Sequence, residues 1–338
     1  MRVIFRADGS SYIGLGHVIR SLALAEIVGN LFTERYLAIQ QPSAAVERMA
    51  QEAKVELLKM PFGAGTSEAL ELATTFLRAS DVVVLDGYGF DTAYQEAIKS
   101  SGCQLVAIDD LCAWPQRADL VINHAPGIFP ATYAAPPNTR FCLGPEFSLV
   151  RGPFRKRFRL PTPLTAATKV VVCFGGADPL QLTQQVLEAL LTLPSIVHVS
   201  LVIGSAFTHG EELRDLVASR FVSKARIYQN ISADEMADLL LDHQVVVCPA
   251  STVLIEGLLL GCAIITGFFA ENQRPLAAYV HAHQQAYSVG NFTDYLGSDL
   301  VAALAQGLAF LTTQVRQPYA KALKPEQLQN EFQELLNR

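Results

Sequence analysis

Short apolar runs rich in β-branched residues alternate with longer stretches in which Leu, Ile and Ala recur at helical spacing, the rhythm of parallel sheets built from βα units. In the first half this pattern predicts strands over 2–6, 36–40, 54–57, 82–86 (VVVLD), 104–108 (QLVAI) and 119–122, with helices over 17–29 and 66–79. From 151 to 168 (RGPFRKRFRLPTPLTAAT) the period stops, and Pro, Thr and basic residues mark a connection between domains. A second series predicts strands over 169–174, 198–203, 225–228, 244–248 and 263–267, with helices over 180–193, 210–219, 232–242, 252–260 and 273–283. The tail 324–337 has helical spacing and is expected to cap one domain. The chain therefore reads as α/β: a doubly wound, Rossmann-like domain over 1–150, a linker over 151–168, a second such domain over 169–323 and a C-terminal helix over 324–338. Its 338 residues are enough for two cores.

Composition narrows the partners. Half the residues are hydrophobic and 17% are charged, as in an ordinary compact protein. A net charge of -6 argues against a general nucleic-acid binder but leaves room for a small anionic ligand. The six cysteines (Cys103, Cys112, Cys142, Cys173, Cys248, Cys262) are scattered, several within apolar runs, and form no CxxC pair, so they read as reduced core residues. The opening MRVIFRADG is too short an apolar run for a signal peptide, and no run of about 18 apolar residues is present. A cytoplasmic protein without stable membrane association is expected.

The candidate chemistry begins in FRADGSSYIGLGHVIR (5–20). Gly14 and Gly16 supply the first two glycines of a dinucleotide turn, but Ile19 takes the third position, and Gln40 and Gln41 stand where a ribose-binding acid belongs; NAD binding is disfavoured. What remains is a glycine-rich loop carrying His17 into the first turn of a helix, where the dipole favours the neutral imidazole that accepts a proton. A packing role for this histidine is the other reading. VVVLDGYGFD delivers Asp86 and Tyr88 to the carboxyl end of a strand, where the acid could orient His17 or a water, or simply shape a turn. Asp109 and Asp110 could bind a metal but lack a third ligand, and His281 and His283 face different sides of a predicted helix; no metal is expected.

In the second half, Gly175 and Gly176 follow a strand and leave backbone N–H groups approachable by a ligand. Ser251 and Thr252 open a helix whose N-terminus suits a phosphate, with Glu256 two turns in, available to ribose hydroxyls or else a solvated carboxylate. Glu271, Asn272 and Gln273 precede another helix and could meet a sugar or merely cap it.

These motifs in this order (RADGSSYIGLGHVIRSLALA, LDGYG, DD, FGGADP, ASTVLIEGLLLG, ENQ) resemble the nucleotide-sugar hydrolases of pseudaminic acid biosynthesis, which act on UDP-2,4-diacetamido-2,4,6-trideoxy-β-L-altropyranose. That family is similar in turn to MurG-type glycosyltransferases of the GT-B fold, with two Rossmann-like domains facing a cleft. The resemblance implies UDP held by Gly175, Gly176, Ser251, Thr252 and Glu256, the last on the ribose. It implies His17 as the catalytic base at the sugar C1, with Gly14, Gly16, Asp86, Tyr88, Asn272 and Gln273 at the substrate, and no cofactor. Some relatives carry Asn before the ribose-binding Glu, where this chain has Ile255 and loses that polar contact. The alternatives are a GT-B transferase, for which RGPFRKRFR would be a basic membrane-facing patch, and a UDP-sugar binding protein without turnover.

Overall fold

The computed structural model describes residues 1–9, 14–60, 65–164, 168–313, 315–319 and 323–337; the Ser10–Ile13 part of the glycine-rich motif lies outside them. One parallel sheet takes β1 (Arg2–Ala7), β2 (Glu34–Ile39), β3 (Glu56–Lys59), β4 (Val82–Asp86), β5 (Gln104–Ile108), β6 (Leu120–Asn123) and β7 (Arg140–Leu143). Their order is β3-β2-β1-β4-β5-β6-β7. The helices α1 (Gly16–Ile27), α2 (Ala44–Glu52), α3 (Thr66–Thr75) and α4 (Thr92–Lys99) fill the crossovers that parallel neighbours require. A short α5 (Gly152–Lys156) follows.

The second sheet contains β8 (Thr168–Val172), β9 (Ile196–Ile203), β10 (Ala225–Gln229), β11 (Val245–Pro249), β12 (Ala263–Phe268) and β13 (Tyr287–Asn291), ordered β10-β9-β8-β11-β12-β13 and again parallel. With it go α6 (Leu182–Leu190), α7 (Gly210–Arg220), α8 (Ala233–Leu241), α9 (Thr252–Leu259), α10 (Arg274–Ala282) and α11 (Ser298–Thr313). The last helix, α12 (Pro325–Leu336), closes the described chain.

Contacts divide the molecule into two compact units, one of β1, Leu15–Gly152 and α12, the other of Gly14 and the chain from Pro153 through α11. Helix α12 belongs to the first because Leu328, Phe332 and Leu335 enter its core and Gln329 Nε2 donates to the carbonyl of Ile27 at 2.6 Å. The stretch after Pro153 is tied into the second: Arg159 N donates to Leu259 O at 2.9 Å, and Arg157 pairs with Asp234 and Asp238.

Strand β4 shows why the sequence reads as it does. Val82 and Val84 join the core beneath α1, while Val83 and Leu85 join the opposite one with Leu72 and Ile98, so a strand covered on both faces appears as an unbroken apolar run. The same alternation sends Asp86 to the α1 side. In both sheets the order reverses once, between β1 and β4 and between β8 and β11. Such switch points open a crevice at the carboxyl ends of the strands, where α/β folds bind ligands.

Several elements escaped the pattern: α2, α4, β7, β13 and α11. Helix α2 and helix α4 are polar on their outer faces and short, and β13 is a partly exposed edge. The helix expected over 66–79 ends at Thr75, where Phe76 leaves helical geometry at φ -125°. Helix α11 lies close on β12 and β13 through Gly307, where a Cβ would come within 2.9 Å of Tyr287 and 3.0 Å of Ile265.

Candidate active site

The switch point of the first sheet gathers His17 and Arg20 of the opening motif. Gly14 has φ +75°, a conformation that favours glycine, and Gly16 begins α1. His17 follows on the first turn, and Arg20, one turn later at i+3, shares its face. Both reach Asp86 at the end of β4. His17 Nδ1 lies 2.7 Å from Asp86 Oδ1, and Arg20 grips the same carboxylate through Nη2 (2.5 Å to Oδ1) and Nε (3.1 Å to Oδ2). Arg20 Nη1 donates to Asp110 Oδ2 at 3.0 Å, beyond the end of β5.

The tautomer follows from these contacts. Asp86 is fully buried; burial opposes its charge, but Arg20 and His17 outweigh it and hold the carboxyl below its usual range. An ionised carboxylate only accepts, so the proton between the two groups sits on His17 Nδ1. Arg20 Nη2, 2.9 Å from that nitrogen, donates one of its two hydrogens to Asp86 Oδ1. Nε2 is then the ring nitrogen that can accept a proton. Tyr88 meets the imidazole edge to face, 4.7 Å between centroids. The two lie on a pocket of about 30 Å³, room for a water or two, shared with Arg20, Asp110, Trp114 and Gln116.

Asp109 and Asp110 are neighbours with different partners. Asp109 accepts from the Tyr133 hydroxyl and two loop N–H groups, Asp110 from Arg20, and no group of three His, Cys, Asp or Glu suited to a metal occurs among the described residues. His281 packs against Phe310 and His283 against Tyr279.

The switch point of the second sheet holds the other motif residues. Gly175, at φ +88°, and Gly176 follow β8; behind Gly176 stands Gly204, where a Cβ would meet the Gly176 Cα at 2.6 Å. After β11, Ser251 occupies the N-cap of α9 without capping it by its side chain, and Thr252 opens the helix. The Ser251 side chain thus leaves the N-terminal amides of α9 uncapped, and amides at a helix start are the groups that receive phosphate. Glu256 is not a solvated carboxylate: it is 0% exposed, as is most of the helix face around it. Ile255 is a core residue. After β12, Glu271–Gln273 form a 3-10 turn in which Gln273 Oε1 accepts from Phe269 N at 3.1 Å and Glu271 pairs with Arg274. The structure thus brings His17, Asp86 and Tyr88 together in one unit and sets Gly175, Gly176, Ser251, Thr252, Glu256, Asn272 and Gln273 after successive strands of the other.

Three residues escaped sequence reasoning. Arg20 was detectable by its i+3 spacing from His17. His124, just after β6, has a buried Nδ1 without a hydrogen-bond partner, and burial together with the Arg20 charge pushes its pKa down to about 4. Asp178, at φ +41°, receives the Leu182 and Thr183 N–H groups at 3.0 and 2.8 Å and so caps α6 from the glycine loop.

No family model matches the chain. An uncharacterized protein of Methanocaldococcus jannaschii is 26% identical over 313 residues, 89% of this chain; the alignment spans 63% of that relative's length. The UDP-2,4-diacetamido-2,4,6-trideoxy-β-L-altropyranose hydrolase of Campylobacter jejuni is 23% identical over 83% of this chain and 96% of its own. Among solved structures, Acinetobacter baumannii MurG matches with a TM-score of 0.62 at 15% identity, covering 100% of this chain and 99% of its own. Anabaena Alr3699/HepE, solved in complex with UDP-glucose, matches with 0.64 at 13% identity over the same shares. The fold is the α/β fold of GT-B glycosyltransferases, two parallel-sheet units of seven and six strands. Among the described residues, no helix is long and apolar enough to cross a membrane.

Proposed function

We propose that the chain is a nucleotide-sugar hydrolase that cleaves UDP-2,4-diacetamido-2,4,6-trideoxy-β-L-altropyranose at the anomeric carbon, releasing UDP and the free sugar with inversion, in pseudaminic acid biosynthesis. The observation that carries this reading is the 2.7 Å contact of His17 with buried Asp86 beside a pocket that admits water. With Nδ1–H committed to Asp86, Nε2 takes a proton from water as the water oxygen bonds to C1 on the face opposite UDP. The C1–O bond to the diphosphate breaks through an oxocarbenium-like transition state, as in inverting glycosidases. Asp86 stabilises the imidazolium until its proton passes to solvent.

The leaving diphosphate is stabilised by backbone amides at the Gly175–Gly176 loop and the start of α9. Glu256 takes the ribose, which requires binding to uncover its carboxylate, and Asn272 and Gln273 meet the sugar. UDP is a good leaving group, so the chemistry asks for neither a general acid nor a metal. The name of the Campylobacter relative and the UDP-glucose complex of a fold neighbour support the choice of ligand.

Proton NMR of the purified chain with that substrate and no acceptor tests the proposal. Release of UDP and inverted free sugar by wild type, and only weakly by His17→Ala with UDP affinity kept, is the expected result; full turnover by the variant would remove His17 as base. The full-length likeness to glycosyltransferase folds favours a second reading, in which the same nitrogen deprotonates an acceptor hydroxyl. UDP binding with no release until an acceptor is added would select it.

A further inference from the structure

Among the residues that line the pocket beside His17 and take no part in the proton relay are Leu111, Trp114 and Gln116. Trp114 is the chain's single tryptophan, 46% exposed, and Leu111 is 47% exposed. The loop that carries them is pinned along its length. Asp109 accepts the N–H groups of Leu111 and Cys112 at 3.2 and 3.0 Å, Thr92 Oγ1 donates to Pro115 O at 2.7 Å, and Gln116 N donates to Ala134 O at 2.8 Å. Arg117 N adds a bond to Gln95 Oε1 at 2.7 Å. The indole is therefore presented on fixed backbone, which lowers the ordering cost of any ligand that covers it.

Gln116 supplies the second, independent observation. It is 2% exposed, and its Oε1 is buried without a hydrogen-bond partner. A buried acceptor in that condition is unfavourable until a donor arrives. Leu111, Trp114 and Gln116 line the same pocket as the base His17 and the ion-paired Arg20 and Asp110.

Building on the hydrolase reading, we propose that this pocket is the subsite for an N-acyl substituent of the sugar, with the amide N–H donating to Gln116 Oε1 and the acyl methyl packing on Trp114 and Leu111. A hydroxyl in place of the acylamino group can supply the donor but leaves the indole and isobutyl groups in water. The residues thus select acylamino sugars over their hydroxyl counterparts.

Because Trp114 is the sole tryptophan, its emission reports this pocket directly. UDP-N-acetylglucosamine, UDP-glucose and UDP are the probes, since the two sugars differ in an acetamido against a hydroxyl group. The expected result is an emission change with UDP-N-acetylglucosamine, little with UDP, and a Kd about tenfold below that of UDP-glucose. Gln116→Leu, which keeps the shape and removes the oxygen, and Trp114→Phe, followed by calorimetry, should each pull that ratio towards one. Equal affinities in wild type, an unchanged ratio in both variants, no response to UDP-N-acetylglucosamine, or an equal response to UDP alone would overturn the proposal. None of these measurements needs turnover. Intact discrimination without hydrolysis of the diacetamido substrate would count against the hydrolase reading and leave the subsite standing.

Discussion

Asp86→Asn separates the chemistry of the relay from its architecture. In the native chain three donors converge on two carboxylate oxygens: His17 Nδ1 at 2.7 Å and Arg20 Nη2 at 2.5 Å on Oδ1, and Arg20 Nε at 3.1 Å on Oδ2. Asparagine offers one oxygen and one NH2 group. With its oxygen in the Oδ1 position, the histidine bond survives and Arg20 Nε faces an N–H. With the amide turned, the N–H opposes His17 and favours the tautomer protonated on Nε2, which cannot take a proton from water. Either way the charge that stabilises the imidazolium is gone. The kcat should fall about 10²- to 10⁴-fold, the usual scale of general base catalysis, with KM little changed. That corresponds to about 3–5 kcal/mol on the barrier. A second cost falls on folding, because Arg20 is buried and keeps only Asp110, at 3.0 Å. Breaking a buried pair costs about 3–5 kcal/mol, and the surviving partner places this case near the low end. UDP release measures the first effect and guanidinium denaturation the second. Native kcat in a variant that shows the expected loss of stability would refute Asp86 as the group that orients His17.

Four further outcomes follow from single features of the structure. His124 titrates at about 4 in the fold against 6.5 for the free side chain, so the unfolded chain binds the extra proton between those values. Stability should therefore be full above the free value and decline as pH falls towards 4, by up to ~3 kcal/mol, and His124→Asn should flatten the difference between urea midpoints at about pH 7 and about pH 5. Gly204→Ala would drive a Cβ to 2.6 Å from the Gly176 Cα, so calorimetry should show UDP affinity reduced about tenfold; an unchanged Kd would count against the glycine loop as part of the nucleotide site. Ser232, whose Oγ accepts from Glu235 N while Glu235 bonds back, should cost ~1 kcal/mol on substitution by Ala, whereas Ser251→Ala should stay within ~0.5 kcal/mol; equal losses would mean that Ser251 caps α9. Turnover should be undiminished in excess chelator, and its loss, restored by added metal, would reject the metal-free mechanism.

The strands buried on both faces were the most legible part of the chain, since β4, β5, β8, β11 and β12 are buried along most of their length and read as nearly continuous apolar runs. Elements that bury less were not. Helix α2 contributes only Val46 and Ala50 to the interior, and β13 buries only Val289, so neither has a pattern strong enough to separate it from a loop. Of the site, His17 and Asp86 were each identified as residues at the carboxyl edge of the sheet. Trp114 carries no signal in the sequence, because a lone aromatic in a loop has no period; its exposure on a pinned backbone makes it conspicuous in the structure.

The pairing of His17 with Asp86 depends on strand order, which local pattern does not encode. Seen from β1, the candidate neighbours were the ends of β2 and β4, which carry Gln40 and Asp86, and α1 could have leaned over either. Placing β4 beside β1, with β5 and β6 next in line, sets the ends of four strands in a row about 4.8 Å apart. The groups that follow them are His17, Asp86, Asp110 and His124; His17 and Asp86 stand 69 positions apart in the chain yet one strand apart in the sheet. Arg20 spans the middle of that row, binding Asp86 with one edge of its guanidinium and Asp110 with the other. A guanidinium fits there because its planar fork serves two carboxylates at once, whereas a lysine would have to choose between them. The bond that orients the base is therefore held by the sheet's register through Arg20. Arg20→Lys should accordingly loosen the His17–Asp86 contact and lower kcat while leaving both of those residues in place.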